Sequence, residues 1–168
     1  MIFGANYAST AVIPDGTALP EVSNPVTDYV PTARPGSRAP HVWLGRAGQR
    51  ISTLDLFGSE LILLAAQSGS VWRQAAVEVA RARRVPLRAF TVGPEGELVD
   101  PDGTWATTYG VGQDGAVLVR PDGHVAWRSP SSVSHPGQVL QSVLAWILGE
   151  SLALVEPSLS PESDQALK

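Results

Sequence analysis

The residues of this chain that could do chemistry are few and widely spaced. Among its 168 residues there is no cysteine, which excludes disulfides, zinc–thiolate sites, iron–sulfur clusters and thiol catalysis. The three histidines lie far apart and show no metal-ligand spacing, so each is interpreted as a strand or cap residue: His41, His124 and His135. The residue types therefore indicate neither a thiol centre nor a metal centre.

Two serines lie between an apolar run and an amphipathic segment, in Gln67-Ser-Gly-Ser-Val-Trp72. A nucleophilic serine needs a base that a third group holds, and the G-x-S-x-G elbow that would surround it is absent. Ser68 and Ser70 are therefore interpreted as turn and capping residues, and Ser70 is the predicted N-cap of a helix. Anion binding by the free amides of this helix start is the alternative.

Nucleotide and calcium motifs do not occur in the setting that their chemistry needs. There is no Walker loop, and no G-x-G-x-x-G fingerprint stands between a predicted strand and a predicted helix, so no independent FAD, NAD or ATP site can be argued. The Asp-rich stretches 100–103 and 114–115 lack the calcium-loop register and its distal glutamate, which favours turns. The tryptophans are interpreted as core residues, or alternatively as one or two members of an apolar partner surface: Trp43, Trp72, Trp105, Trp127 and Trp146.

The charge pattern excludes a nucleic-acid surface. The net charge is −4, and hydrophobic residues make up 43% of the chain against 17% charged residues. The one tight basic group, at 81–84, is interpreted as the solvated end of a helix. No signal-peptide pattern opens the sequence and the aliphatic run 61–66 is too short to cross a bilayer, so we expect a cytoplasmic protein without membrane contacts.

The elements that must position these residues follow from hydrophobic periodicity and from turn residues. Alternation or continuous apolar runs predict strands, and a 3.6-residue apolar stripe predicts helices. The predicted elements are a hairpin from 41–44 and 50–53 around Gly45-Arg-Ala-Gly48, strands at 60–66, 87–92, 116–120 and 124–128, and helices at 70–84, 102–109 and 136–148. The order is a hairpin followed by β-α-β-α-β-β-α.

This element order predicts an α/β, thioredoxin-like fold with a mixed central sheet flanked by helices and an extra N-terminal hairpin. In such a fold the reactive cysteine sits where the first central strand meets its helix, here Gln67–Trp72, and no thiol is present there. The cis-proline that precedes the hairpin strand is also missing from 110–115, so the fold is predicted to be redox-inactive. A vestigial pocket is predicted at the strand–helix junction, formed by Gln67, Ser70, Trp72, Tyr109 and Asp114.

The two ends of the chain differ in composition from the middle. Six prolines punctuate residues 1–40, which predicts an extended arm; its regular apolar residues indicate that at least part of it is docked. Residues 41–149 form the predicted thioredoxin-like domain. Residues 150–168 are rich in serine, proline and acidic residues, which predicts a flexible tail.

Several motifs together resemble the C-terminal thioredoxin-like domain of FAD-dependent aromatic hydroxylases. These are class A flavoprotein monooxygenases related to phenol hydroxylase, and those that tailor aromatic polyketides are the most similar. The motifs lie between about residues 3 and 149: Pro35-Gly-Ser-Arg-Ala-Pro-His-Val-Trp-Leu44, Ile51-Ser-Thr-Leu-Asp-Leu-Phe-Gly58, Tyr109-Gly-Val-Gly, the stretch 115–128, and in the arm Phe3-Gly-Ala-Asn-Tyr-Ala-Ser, Val12-Ile-Pro-Asp-Gly16 and Asn24-Pro-Val-Thr-Asp-Tyr29.

The resemblance implies a domain without its own catalytic residues. In the full-length hydroxylases FAD and NADPH chemistry belongs to the larger N-terminal portion, so no catalytic, cofactor-binding or metal-binding residue is carried over to this chain. The resemblance implies that this is the C-terminal domain encoded alone, or a fragment of a longer ancestor.

Three hypotheses follow for the function. The first is a non-catalytic accessory or interaction domain that docks on a flavin-dependent hydroxylase or another biosynthetic enzyme, or self-associates. The second is an autonomous, cofactor-free enzyme or binder that acts on a polyketide intermediate in an apolar, tryptophan-lined pocket. The third is a truncated chain without function.

Overall fold

The computed structural model describes residues 11–18 and 32–150. It contains six strands and three α-helices within these ranges: β1 Trp43–Arg46, β2 Gln49–Ser52, β3 Leu61–Ala66, α1 Ser70–Arg83, β4 Leu87–Val92, α2 Trp105–Tyr109, β5 Ala116–Val119, β6 Val125–Ser129 and α3 Pro136–Ile147, with a 3-10 helix at Thr53–Leu56. No helix in this part of the chain combines the length and the apolarity needed to cross a bilayer.

Four strands form a mixed sheet in the order β4-β3-β5-β6. Strand β3 pairs in parallel with β4 and antiparallel with β5, and β5 pairs antiparallel with β6. The β3–α1–β4 crossover followed by an antiparallel hairpin is the thioredoxin-like arrangement, so the predicted fold is confirmed. The hairpin β1–β2 forms a separate two-stranded sheet.

Strand β3 is buried on both faces, because all six of its residues are covered. Alternate side chains enter two different cores. Leu61, Leu63 and Ala65 pack beneath α1 and α3, whereas Ile62, Leu64 and Ala66 face the side that carries α2 and the β1–β2 hairpin. A residue's side of the sheet therefore decides which partners it can reach.

The predicted hairpin is confirmed, but its turn is shorter than the sequence indicated. Gly45 and Arg46 continue strand β1 and pair with Arg50 and Gln49, so only Ala47 and Gly48 form the turn. Both turn residues have positive φ, 48° and 79°, as a two-residue type I′ turn requires. Gly45 also exchanges backbone hydrogen bonds of 2.7 and 2.8 Å with Val99, which ties the hairpin to the segment after β4.

The prediction of Ser70 as a helix N-cap is wrong by one residue. Gly69 is the N-cap and Ser70 is the first residue of α1, with no side-chain cap hydrogen bond. The hydrogen bonds of the helix start begin at the Gly69 carbonyl, which accepts 2.9 Å from the N–H of Trp72. Glycine suits this position, because a Cβ there would lie 3.0 Å from the carbonyl oxygen of Gly115 and 3.1 Å from that of Ala66.

Two described pieces of the arm cover the edge strand β6. Gly36 donates its N–H to Val125 O at 2.8 Å, and Val125 donates to Ser37 O at 2.9 Å. Ile13 donates to Ala126 O at 2.8 Å. The backbone groups of an edge strand are thereby satisfied within the chain. The predicted boundaries of arm, domain and tail stay a prediction, and residues 1–10, 19–31 and 151–168 lie outside the described residues.

Candidate functional site

The start of α1 is closed by the backbone of the loop that precedes β5. Ser68 donates its N–H to Gln113 O at 2.8 Å, and Ala66 donates to Gly115 O at 2.9 Å. The indole N–H of Trp72 donates to Asp114 O at 3.1 Å. Three contacts from residues 113–115 thus lie over the position where a thioredoxin-like enzyme would present its thiol.

Glycine at position 115 makes this closure possible. A Cβ there would lie 2.5 Å from Pro130 O and 2.7 Å from Ser129 O, distances that real Cβ atoms do not show. The loop is therefore held between α1 on one side and the end of β6 on the other. The closure is a contact of backbone on backbone.

The structure brings together some of the predicted pocket residues and separates others. Trp72 is fully buried and bonded to the Asp114 carbonyl, while Ser70 is exposed on the first turn of α1. Gln67 turns toward the segment after β4, where its Oε1 accepts a long hydrogen bond of 3.4 Å from the N–H of Glu95. The Asp114 side chain points outward and accepts 2.7 Å from Ser132 Oγ; this hydrogen bond lowers the pKa of Asp114.

Tyr109 lies in the core on the opposite face of the sheet from Trp72. Its hydroxyl donates 2.8 Å to the carbonyl of Pro40, and its ring stacks on Trp105 at 5.3 Å between centroids. Pro40 O also accepts from the hydroxyl of Thr53 at 2.9 Å. Tyr109 is therefore an anchor for the end of the arm, and the predicted vestigial pocket stays a prediction.

A charged anchor that sequence reasoning missed joins the arm to β6. The carboxylate of Asp15 pairs with the guanidinium of Arg128, and both side chains are nearly covered, at 12% and 8% exposure. Arg128 Nε lies 2.8 Å from Asp15 Oδ2, and its Nη1 donates 3.1 Å to Tyr109 O. No local signal could have found the pair, because 113 residues separate its members.

The environment of Asp15 favours its charged form. Burial raises the pKa of Asp15, but hydrogen bonds from the N–H and hydroxyl of Thr17 and the guanidinium of Arg128 outweigh it, so the pKa lies below its usual value. The Thr17 carbonyl in turn accepts 2.6 Å from Arg34 Nε. Residues 15–17 are thus held by Arg128 through Asp15 and by Arg34 through Thr17.

Two of the five tryptophans reach the surface, and the alternative that such residues contact a partner stays a prediction. Trp43 on β1 is 41% exposed and Trp146 on α3 is 50% exposed, whereas the other three are buried. The guanidinium of Arg50 lies 4.3 Å from the ring centroid of Trp43, and the His41 ring packs edge-on against the indole with 4.7 Å between ring centroids. Trp146 borders an apolar groove of about 530 Å³ between α3 and the arm.

No group of three metal-ligating side chains clusters within residues 11–18 and 32–150. The described residues place exposed aromatic and arginine side chains on the hairpin and an apolar groove on α3. They offer surfaces for contact with other molecules, and the backbone of residues 113–115 contacts the junction typical of catalysis in this fold.

Comparison with known proteins finds similar sequences within longer chains. The family model for the C-terminal domain of aromatic-ring hydroxylases matches residues 32–151. The chain is 44% identical over 148 residues to tetracenomycin A2 monooxygenase-dioxygenase of Streptomyces glaucescens and 43% identical over 147 residues to aklavinone 12-hydroxylase of Streptomyces purpurascens. Each match covers 88% of this chain and 26% of the relative, so the chain spans about a quarter of their length.

Solved structures give the same result. The structure of aklavinone-11 hydroxylase with FAD and aklavinone matches with a TM-score of 0.77 at 43% identity, over 88% of this chain and 26% of that one. The flavin-dependent monooxygenase PieE, in complex with FAD and substrate, matches with a TM-score of 0.80 at 41% identity over the same shares.

Closure of the α1 start is tested by Gly115→Ala. The added methyl group cannot avoid the carbonyls of Ser129 and Pro130 without backbone movement, so we expect the free energy of unfolding to fall by about 1–3 kcal/mol. Gly137→Ala is the matched control, since a Cβ at this helical position meets nothing within 4 Å and alanine favours helix by about 0.5–1 kcal/mol. Urea denaturation measures both; equal stability of the two variants would contradict the closure.

The Asp15–Arg128 anchor is tested by Asp15→Asn. Loss of a hydrogen-bonded charge next to a covered guanidinium is expected to lower the free energy of unfolding by about 1–3 kcal/mol and to speed hydrogen exchange of the Ile13 amide. Because the folded pKa of Asp15 is lowered, its stabilisation is present at neutral pH and is lost as the pH falls through that pKa. The variant should therefore lack part of the acid sensitivity of the parent; identical pH profiles would refute the anchor.

Proposed function

Because this chain belongs to the family of aromatic-ring hydroxylase C-terminal domains, we propose that it acts as a non-catalytic accessory domain in FAD-dependent hydroxylation of aromatic polyketides. It would dock in the cytoplasm on a flavin-dependent hydroxylase that carries the catalytic portion. The relatives that support the substrate class are the tetracenomycin and aklavinone hydroxylases, of which this chain matches about a quarter.

The observation that carries this proposal is the filled strand–helix junction. A thioredoxin-like domain does its chemistry at the start of α1, and here that start has no thiol and lies under the carbonyls of residues 113–115. When a domain keeps this fold but has lost its usual catalytic site, its outer surface can still bind other molecules. The junction therefore supports an interaction role over a catalytic one.

The described residues do not fit FAD. Gly110-Val-Gly-Gln-Asp-Gly115 has the G-x-G-x-x-G spacing, but it follows α2 and leads into β5, whereas a dinucleotide-binding turn opens a helix. Its last residues also lie against Gly69, where the carbonyl oxygens of Asp114 and Gly115 come within 3.3 Å of a Cβ position. Oxygen atoms at a helix start occupy the place that a pyrophosphate would need. We infer that FAD and NADPH bind the partner and not this chain.

The hairpin supplies the surface that we assign to the hydroxylase contact. Trp43 is exposed, and Arg50 covers one face of its ring. Arg46 lies 5.1 Å above the ring of Phe90, and no carboxylate in the described ranges pairs with either arginine. Arginine and tryptophan are among the residues that most often anchor protein interfaces. Two guanidinium groups without a carboxylate partner favour an acidic surface on the hydroxylase.

The alternative of an autonomous small-molecule enzyme has no comparable support. It needs polar side chains that converge on one pocket. Trp72 and Tyr109 lie on opposite faces of the sheet, and each is already hydrogen-bonded to a backbone carbonyl.

The proposal is tested with the full chain, tagged and expressed in its native host. We expect the purified chain to lack flavin absorbance, to leave FAD fluorescence unchanged and to retain a flavin-dependent hydroxylase. The hydroxylation rate of that enzyme should fall when the chain is removed and recover when it is returned. Arg50→Glu should weaken the association about tenfold or more, through loss of the cation and repulsion of an acidic partner.

Arg81→Glu serves as the matched control, because Arg81 is exposed on α1 and its substitution makes the same change of charge away from the hairpin. Stoichiometric FAD binding by the chain, turnover by the chain alone, or equal effects of the two variants would each count against the proposal.

A further inference from the structure

Strand β4 is one edge of the four-stranded sheet, and part of its outer backbone is unpaired within the described residues. Thr91 points outward, because its N–H donates 2.9 Å to Glu97 Oε2 and its C=O accepts 3.1 Å from the N–H of Leu98. The backbone groups of successive residues in a strand point to opposite sides, so Leu87 and Ala89 also point outward. In the described part of the chain, no hydrogen bond reaches their outward N–H and C=O groups.

The open stretch of β4 is short and has defined ends. At one end the contacts of Thr91 close it. At the other end stands Pro86, whose carbonyl points inward and accepts 2.9 Å from the N–H of Leu61. The stretch 87–90 is about 13 Å long, at about 3.3 Å per residue. The opposite edge of the sheet, β6, is covered by the arm, so within the described residues β4 is the edge that offers a template for a further strand.

The face of this edge toward the hairpin is cationic. The guanidinium carbons of Arg46 and Arg88 lie 5.1 and 5.5 Å from the ring centroid of Phe90. One carboxylate is near, because Glu60 Oε2 lies 3.8 Å from Arg88 Nε, and it balances at most one of the two charges. Positive charge therefore remains beside the open backbone.

The other face of the edge is apolar. Arg73 of α1 pairs with Glu97 at 2.7 Å, which places this side of the helix beside the β4 edge. Val77 follows Arg73 by one turn on the same side and is 54% exposed. The side chains of Leu87 and Ala89 lie on this face and are partly buried. An added strand would thus meet arginines on one side and apolar groups on the other.

We propose that an extended segment of the hydroxylase, in which acidic and apolar side chains alternate, adds a strand to the open edge of β4. Its backbone pairs with Leu87 and Ala89. Its acidic side chains lie toward Arg46 and Arg88 and its apolar side chains toward Val77, because alternate residues of a strand point to opposite faces. This inference rests on the proposed function and names the kind of segment that the hydroxylase contributes.

Charge favours an acidic segment over a second copy of this chain. If two β4 edges paired antiparallel, Arg88 of both copies would lie on one face of the joined sheet, and like charges across a strand pair are destabilising. Charged side chains commonly protect sheet edges from such pairing. An acidic segment turns the same arginines into ion-pair partners. The edge also adjoins the hairpin surface already assigned to the hydroxylase, since Arg46 belongs to both.

The first test adds a capped peptide of sequence Thr-Glu-Val-Glu-Val-Glu-Thr to the full chain. We expect amide hydrogen exchange of Leu87 and Ala89 to slow at least tenfold at saturation, while the Ile13 amide on the covered edge is unchanged. Arg88→Glu should raise the dissociation constant of the peptide at least tenfold, and Arg81→Glu on the outer face of α1 should not change it. Both positions are exposed, so thermal unfolding should show both variants folded.

The second test separates backbone pairing from charge. Ala89→Pro removes the outward N–H, which proline permits on an edge strand, and Ala89→Val is the matched control that keeps it. We expect the proline variant to retain at least tenfold less hydroxylase from the native host than the valine variant, and to bind the peptide at least tenfold more weakly.

The two proposals fail in different ways. A parent chain that retains no hydroxylase contradicts the proposed function. A parent that retains the enzyme, while a folded Ala89→Pro variant retains it equally, overturns the strand addition alone. Unchanged exchange of Leu87 and Ala89 with the peptide also overturns it, as does exchange that is already slow without the peptide because residues of the same chain cover the edge.

Discussion

The backbone contact between residues 113–115 and the first turn of α1 is the constraint on which the rest of this structure depends. Gly69 and Gly115 let two chain segments approach until carbonyl oxygens lie where side chains would otherwise stand. The buried indole of Trp72 stabilises the contact by donating its N–H to the carbonyl of Asp114. At this junction the chain carries the exposed serines Ser68 and Ser70 and no thiol, beside the carbonyl oxygens of residues 113–115. The usual chemistry of the fold is therefore lost with the cysteine, while the backbone contact stabilises the domain.

The two faces of the sheet pack against different elements. Because β3 is covered on both sides, α1 and α3 pack on one face, and α2, the hairpin and the end of the arm pack on the other. Tyr109 holds Pro40 on that second face, and Arg128 holds Asp15 beside β6. The described arm thus acts as an added layer at the edge of the sheet, fixed by one neutral and one charged anchor.

Two kinds of exposed surface remain on the domain. The hairpin combines an indole with guanidinium groups, which suits an acidic protein partner. The outer face of α3 is uncharged and borders an apolar groove.

Local patterns determined the elements of this protein, and only the tertiary structure decided how their side chains meet. Within the described residues, periodicity and turn residues predicted every strand and α-helix in order, since these signals act between residues a few positions apart. Strand β4 was predicted at 87–92, where it lies. The 3-10 helix at Thr53–Leu56 was not predicted. The helix begins one residue earlier than predicted, with Gly69 as its N-cap, and the hairpin turn was misplaced because strand pairing extends to Arg46. Tyr109 was grouped with Trp72, although the sheet stands between them. The Asp15–Arg128 pair had no local signal, because the contact exists only once the arm lies along β6.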